Sequence, residues 1–478
     1  MINQTNFESK IGFDIIKNLI KEECLSNSAK ALVEDISFSS DYLFVKELLC
    51  QTDELRKILI FDKNFPSSDY FDLKEEIIRI KTQGTFISQE NLILLKNSLN
   101  TIIKITDFFK PEEKTQQYKE LSKLSSKIFI EERIIEYINR IIDEKGEIRD
   151  SASPGLSKIR SQLHQKINIV ERKLNQTINN ARKEGWIADD ISSTIRNGRV
   201  VIPVIATHKR KIKGFVHDVS STGQTFYIEP EEVFDINNEI IELESEEKKE
   251  IVKILTSFTD YLRFYTDSLC DAYNFLFYID FVRAKAKVAI KIKAVLPVLS
   301  EKSQIEWYDA VHPVLYLSHL SQGKQVVPLN IKLDDKQRIL VISGPNAGGK
   351  SVCLKTVGLI QYMLQCGILV PLRETSEAGI FKNIFIDIGD EQSIENDLST
   401  YSSHLINLKN LISSATENTL FLIDEFGSGT EPNLGGAIAE SVLEELSIRK
   451  SLGIVTTHYA NLKLLAGKID GVINGSML

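Results

Sequence analysis

Arg338-Ile339-Leu340-Val341-Ile342-Ser343-Gly344-Pro345-Asn346-Ala347-Gly348-Gly349-Lys350-Ser351-Val352 is the stretch from which the rest of the chain is read. Arg338 to Ile342 is an aliphatic run that predicts a strand. Gly344 to Ser351 then fits G-x-x-x-x-G-K-[ST], and Leu354, Val357, Leu359 and Ile360 follow in a helical pattern. In that strand–loop–helix context the glycines let successive backbone N–H groups turn inward on phosphate oxygens, at the positive end of a helix. Lys350 adds a charge at the β- and γ-phosphates, and Ser351 offers its hydroxyl to Mg²⁺. The stretch reads as a nucleotide-phosphate cradle set in an α/β layer.

Two further stretches extend the cradle. Leu420-Phe421-Leu422-Ile423 runs straight into Asp424-Glu425. A buried strand there delivers Asp424 to the metal and Glu425 to an attacking water, which makes Glu425 the candidate general base. An apolar strand followed by an acid is common by itself and gains its meaning from the cradle before it. Gly453-Ile454-Val455-Thr456 is another strand, followed by Thr457-His458. A lone histidine after a strand is more often structural, but this motif order favours one that donates to the γ-phosphate.

The chain around these motifs has 478 residues, 26% charged and 42% hydrophobic, the composition of an ordinary globular protein with room for about three domains. No apolar run reaches the roughly 18 to 20 residues of a membrane helix, and the first residues carry no secretory pattern. Five scattered cysteines without a C-x-x-C pair argue against a disulfide framework or zinc site, so a cytoplasmic location is expected. A formal net charge of -8 excludes nucleic-acid binding by the whole surface and leaves it to a local patch.

Residues 1–155 predict a helical domain, with Phe13, Ile16, Leu19 and Ile20, and Leu92, Leu95, Leu99 and Ile102, at helical spacing. After Ser151-Ala152-Ser153-Pro154-Gly155, two long stripes follow: Ile159, Leu163, Ile167, Val170, Leu174, Ile178, then Ile251, Leu255, Phe258, Leu262, Tyr265, Leu269. Each is either a coiled-coil-like seam or an ordinary core-facing helix, and the pattern alone does not choose. Between them Val200–Ala206, Lys213–Val219 and Gln224–Pro230 read as strands. The expected layout is therefore multidomain α plus α/β. A helical core or lever domain spans 1–155, and long helical arms span 156–300 with a small β-containing clamp tip at about 195–235. A P-loop domain with a mostly parallel sheet spans 301–478. At the tip, His208-Lys209-Arg210-Lys211-Ile212-Lys213 concentrates positive charge in an acidic chain. Lys209, Arg210, Lys211 and Lys213 are candidate nucleic-acid contacts; a solvated hairpin is the competing reading.

With these residues in place the chain resembles the MutS-type ATPases, within the ABC/Rad-type P-loop class. Four stretches carry the likeness: 344–351, Asp397-Leu398-Ser399-Thr400-Tyr401-Ser402-Ser403-His404, IDEFGSGTEP at 423–432, and TTHYANLK at 456–463. His312-Pro313-Val314 fits the start of that family's ATPase domain. The Leu-Ser-Gly-Gly-Gln signature of transporter ATPases is absent. The second bacterial subfamily (MutS-II) is matched more closely, through Asp387-Ile388-Gly389-Asp390-Glu391-Gln392-Ser393, Gly214 to Asp218, Ile228-Glu229-Pro230 and Ile279 to Ala286.

The resemblance implies ATP and Mg²⁺ as cofactors, with Gly344, Pro345, Asn346, Ala347, Gly348, Gly349, Lys350, Ser351 and Val352 around the phosphates and Ser351 and Asp424 at the metal. It implies that Gln392 and His458 read the γ-phosphate, and that Ser399 reaches across a homodimer to the other subunit's ATP. It further implies an ATP-driven clamp on branched or double-stranded DNA that suppresses homologous recombination, or, alternatively, an ATPase that senses and splits collided ribosomes through rRNA contacts. Membranes are not among the implied partners. The family's mismatch-reading Phe-x-Glu wedge has no counterpart: Phe129-Ile130-Glu131 is expected inside a helical run, where it is incidental. Proteins of this subfamily continue through a helical linker to a Smr nuclease domain, so a chain cut short at Leu478, without dimer-forming elements beyond it, is the expectation.

Overall fold

The computed structural model describes residues 7–62, 64–187, 192–344, 349–388, 400–427 and 431–476, with 400–403 described at the backbone alone. It comprises two compact units. One consists of Leu73–Asn100 and Phe129–Asp271, and the other of Met1–Asp72, Thr101–Ile128 and Ala272–Leu478.

The first of these is built on two long helices, Pro154–Lys183 and Glu231–Leu262, that pack along each other. The Ser-Pro-Gly punctuation is a helix start: Ser153 accepts a hydrogen bond from the Leu156 N–H and Pro154 occupies the first turn, where its missing donor costs nothing. Of the first apolar stripe, Val170, Leu174 and Ile178 are buried, whereas Ile159, Leu163 and Ile167 are half-buried. The second stripe does not lie on one continuous helix, because the 3-10 turn Arg263–Tyr265 precedes the helix Thr266–Lys291 that carries Leu269. Between the two long helices the chain forms an antiparallel sheet of β1 (Thr194–Arg196), β2 (Arg199–Ile205), β3 (Gly214–Val219) and β4 (Thr225–Pro230), in the order β1-β2-β4-β3. Three of these strands follow the sequence pattern. β1 is an addition, too short and too polar to announce itself. Ile202, Val204 and Ile228 bury against Leu174, Ile178 and Val233 of the helices. Phe129-Ile130-Glu131 is not helical: it precedes the helix Glu132–Ile141, and Phe129 is exposed. The apolar positions at helical spacing begin only at Ile134, so nothing draws Phe129 onto that helix's buried face.

In the other unit the strands are β5 (Val298–Ser300), β6 (Ile305–Ala310), β7 (Leu329–Leu333), β8 (Ile339–Ser343), β9 (Glu377–Gly379), β10 (Asn383–Asp387), β11 (Thr419–Ile423), β12 (Leu452–Thr457) and β13 (Val472–Gly475). Five of them form a wholly parallel sheet in the order β10-β11-β12-β8-β13. The run Leu420-Phe421-Leu422-Ile423 is unbroken by polar residues because a parallel strand covered on both faces has no solvent side. Gly453 on β12 is required by close packing, since a Cβ there would lie 2.4 Å from the Phe421 ring. A second sheet, β5-β9-β6-β7, was not anticipated; its strands are short and partly polar.

The helix Lys350–Gln365 is apolar on nearly every side, with Leu354, Val357, Leu359 and Ile360 fully buried, as befits a helix enclosed by its unit. Its far end is held by the N-terminal helices. Tyr362 meets Phe7 edge-on at 5.0 Å, Phe13 edge-on at 4.7 Å and Phe38 face-on at 5.9 Å, and its hydroxyl donates to Glu8 at 2.6 Å. Gln365 donates to the main-chain oxygens of Ser39 and Phe381 at 2.9 and 2.8 Å. Among the described residues no helix is long and apolar enough to cross a membrane.

Candidate functional site

A parallel sheet collects whatever follows its strands at one edge, because all strands end there. After β8 come Gly344, with φ +148°, and Gly349, whose φ of +83° makes it the left-handed cap of the helix Lys350–Gln365. A side chain at Gly349 would strain a backbone conformation that glycine adopts freely. Lys350 is almost wholly buried. Its Nζ donates to the Gly344 carbonyl at 2.6 Å and lies 3.3 Å from Nε2 of His458, the residue after β12. Ser351 and Val352 are exposed in the first turn of the same helix. Pro345, Asn346, Ala347, Gly348, Gln392 and Ser399 lie outside the described residues.

Asp424 and Glu425 follow β11 at the same edge. The Asp424 N–H donates to the Asp387 carbonyl at 2.9 Å. Thr456 sits between the two acids: its hydroxyl accepts from the Glu425 N–H at 2.8 Å and donates to Asp424 Oδ1. The Glu425 N–H also lies 3.2 Å from Asp424 Oδ1. Glu425 has φ +47°, a left-handed conformation that costs a non-glycine residue about 1 to 3 kcal/mol. The next residue anchors the turn, since the Phe426 ring is buried and its N–H donates to the Thr456 carbonyl at 2.7 Å. Beyond His458, the Tyr459 hydroxyl donates to the Gly427 carbonyl at 2.9 Å, tying the segment after β12 to that after β11.

Besides Thr456, three residues join this site without having been assigned to it from the sequence: Asp387, His404 and Asn407. Asp387 ends β10 and is buried; its Oδ2 lies 2.7 Å from His404 Nδ1, and its Oδ1 accepts from Asn407 Nδ2 at 3.3 Å. The signal was present, since Ile384-Phe385-Ile386-Asp387 repeats the apolar-run-then-acid pattern of 420–424. The partnership with a helix beginning at Thr400 had no local trace. His312 caps the helix Pro313–Ser321, accepting from the Leu315 N–H, and burial pushes its imidazole down to about 4, followed by the nearby Lys355 charge. It is a structural histidine.

In the other unit, Lys209, Arg210, Lys211 and Lys213 are exposed between β2 and β3. Lys209 Nζ lies 4.5 Å from the Phe226 ring centre, and the Arg196 guanidinium lies 4.5 Å from that of Tyr227. Beneath them Glu229 is fully buried and satisfied by Arg199 at 2.9 Å, by Asn237 at 2.6 Å and by His217.

A family model described as MutS domain V matches residues 340–478. The Endonuclease MutS2 of Clostridium beijerinckii is 38% identical over 465 residues, which is 97% of this chain and 58% of that protein. The Endonuclease MutS2 proteins of Finegoldia magna and of Geobacillus sp. (strain WCH70) are 37% and 35% identical over 466 residues, with the same coverage of 97% and 58%. The chain thus spans somewhat more than half the length of the curated relatives it matches.

Proposed function

The chain belongs to the MutS2 family, and on that premise we propose that it is an ATPase whose nucleotide site is completed by a second copy of the chain. One observation carries the reading: Lys350, His458, Asp424 and Glu425, from three separate strand ends, converge on one edge of a parallel sheet. Lys350 neutralises the β- and γ-phosphates, which the backbone N–H groups of 344–352 cradle. Ser351 and Asp424 are hard oxygen donors of the kind Mg²⁺ takes beside phosphate and water, and they would hold it there. When bound, Mg²⁺ supplies charge neutralisation at the phosphates. Glu425 takes the proton of the attacking water, with its backbone held by Thr456. Gln392 and His458 contact the γ-phosphate, and Ser399 acts on the partner's nucleotide.

We extend the proposal to the three-part layout 1–155, 156–300 and 301–478, in which the basic tip meets a polyanion. Branched or double-stranded DNA is the partner we favour, because the family model belongs to MutS; the ribosome is the alternative, and a gel shift on four-way junctions against ribosome co-sedimentation separates them. For the ATPase itself, turnover per chain should rise with protein concentration, and Glu425→Gln should keep nucleotide binding while losing turnover. Turnover independent of concentration removes the shared site, and unchanged turnover in the variant removes Glu425 from the base role.

A further inference from the structure

Asp387 occupies a junction that the proposed chemistry leaves unused. It is the last residue of β10, paired in register with Ile423, so its carbonyl is in place to accept the Asp424 N–H at 2.9 Å. Its carboxylate turns the other way, to His404 Nδ1 at 2.7 Å and Asn407 Nδ2 at 3.3 Å. One buried residue therefore grips the metal-side end of β11 through its main chain and the helix Thr400–Ser414 through its side chain. His404 and Asn407 are three apart, so they present one face of that helix to one carboxylate. Asp387, His404, Asp424, Glu425, Phe426 and Gly427 line one small cavity.

The orientation of this link matters. A buried carboxylate without its donors carries a large desolvation cost, so Asp387 does not release the helix lightly. Any displacement of Asp424 passes to Asp387 through a main-chain bond and from there to a rigid helix. That helix begins immediately after Ser399 in the chain. We infer that the Asp387–His404 pair is a positioning device that sets the helix behind Ser399 according to the state of the chain's own Asp424, and so acts on hydrolysis in the partner subunit and not in its own. Asn407 supports it as the second donor. The inference rests on the shared-site reading above and adds the direction of communication within it.

Mixing two defective chains tests that direction. His404→Ala keeps its own Lys350, Asp424 and Glu425 but frees its helix, whereas Glu425→Gln cannot hydrolyse but keeps the Asp387–His404 link intact. Alone, His404→Ala should turn over ATP about ten- to a hundredfold more slowly than wild type, the range for a lost charge-assisted hydrogen bond, and Glu425→Gln about a hundred- to ten-thousandfold more slowly, the range for a lost general base. Mixed one to one, the Glu425→Gln chain supplies a correctly set helix to the His404→Ala site; about half of the dimers are then mixed and each has one competent site, so turnover should return to about a quarter of wild type. A mixture as inactive as its parts overturns the inference, because His404 would then serve its own site. His404→Asn, which keeps a donor near Nδ1, should recover most of the activity and distinguishes lost positioning from lost folding; failure of this rescue with an unchanged melting profile also overturns it. If wild type itself shows no concentration-dependent turnover, the shared-site reading fails, and this inference falls with it.

Discussion

Replacing Thr456 by valine removes one hydroxyl from the point where the two acids are held. Thr456 is fully buried, and its hydroxyl accepts from the Glu425 N–H at 2.8 Å while donating to Asp424 Oδ1. The hydroxyl-to-carboxylate bond is worth about 1.5 to 3 kcal/mol. Loss of the N–H bond adds only about 0.5 to 1 kcal/mol, because that N–H keeps its 3.2 Å contact with Asp424 Oδ1. The extra buried methyl offsets about 0.8 kcal/mol. The net destabilisation is therefore about 1 to 3 kcal/mol. The chain has two tryptophans, Trp186 and Trp307, and Trp307 is buried in the unit that carries the site. In a Trp186→Phe background, urea unfolding followed by fluorescence thus reports on that unit alone. Glu425, no longer held in its left-handed turn, should also lose about ten- to a hundredfold in turnover. Thr457→Val is the control: Thr457 donates to the Phe426 carbonyl at 3.3 Å and accepts from the Tyr459 N–H at 3.1 Å, touching neither acid. It should lose stability with less than about a threefold change in turnover. If Thr456→Val shifts unfolding by less than about 0.5 kcal/mol with turnover unchanged, Thr456 does not hold the acids.

Two further outcomes follow from buried and exposed lysines. Lys285 is wholly buried, donating to the Gly367 carbonyl at 3.2 Å with the Phe281 ring 4.7 Å away, and burial pushes its ammonium down to about 7. Because this is below its unfolded value, the unfolded chain binds the extra proton between pH 10.5 and 7, so stability is lost as pH falls through that window. Wild type minus Lys285→Met should therefore gain stability from pH 7 to 8.5; a flat difference refutes a neutral buried lysine. The difference is needed because burial pushes the Cys24 and Cys353 thiols up to about 12, which pulls stability the other way at high pH. At the tip, replacing Lys209, Arg210, Lys211 and Lys213 by Glu should abolish junction or ribosome binding at moderate salt while ATP turnover without nucleic acid stays within about twofold; retained binding places the contact elsewhere.

The parallel sheet and the order of its motifs were legible because each announces itself locally: an aliphatic run buried on both faces, then a polar segment at its end. Lys350, Asp424, Glu425 and His458 fall after such runs in the sequence, and the structure places them at one edge of the sheet. Thr456 was read only as the end of a strand, since a threonine in a β-rich run looks like ordinary strand preference. Its hydroxyl acquires a role only when β12 is laid beside β11, a pairing between segments far apart in the chain. Asp387 and His404 lie within family-like stretches whose sequence alone gives them no chemistry, for the same reason. The strands β2, β3 and β4 were readable from their β-rich runs, whereas β1 was not, because three residues such as Thr194-Ile195-Arg196 hold too little pattern. The sheet β5-β9-β6-β7 joins strands from both sides of the helix Lys350–Gln365 in the chain, and no local spacing encodes that.

The helix Lys350–Gln365 unites these findings, because its two ends are fixed by different parts of the sequence. One end presents Lys350 to Gly344 and His458. The other is locked by Phe7, Phe13 and Phe38 around Tyr362, by Ser39 through Gln365, and just beyond it by Lys285 at Gly367. A buried helix packed at interior density moves as a rod and does not bend to absorb a displacement. A shift of Lys350 towards bound phosphate must therefore be taken up at Tyr362 or opposed there. On the proposed nucleotide role of Lys350, the N-terminal helices and the helix Thr266–Lys291 would bear on the cradle through this rod. Loosening the Tyr362 cage should act on nucleotide affinity through Lys350, and a cradle judged only by its loop would miss that dependence.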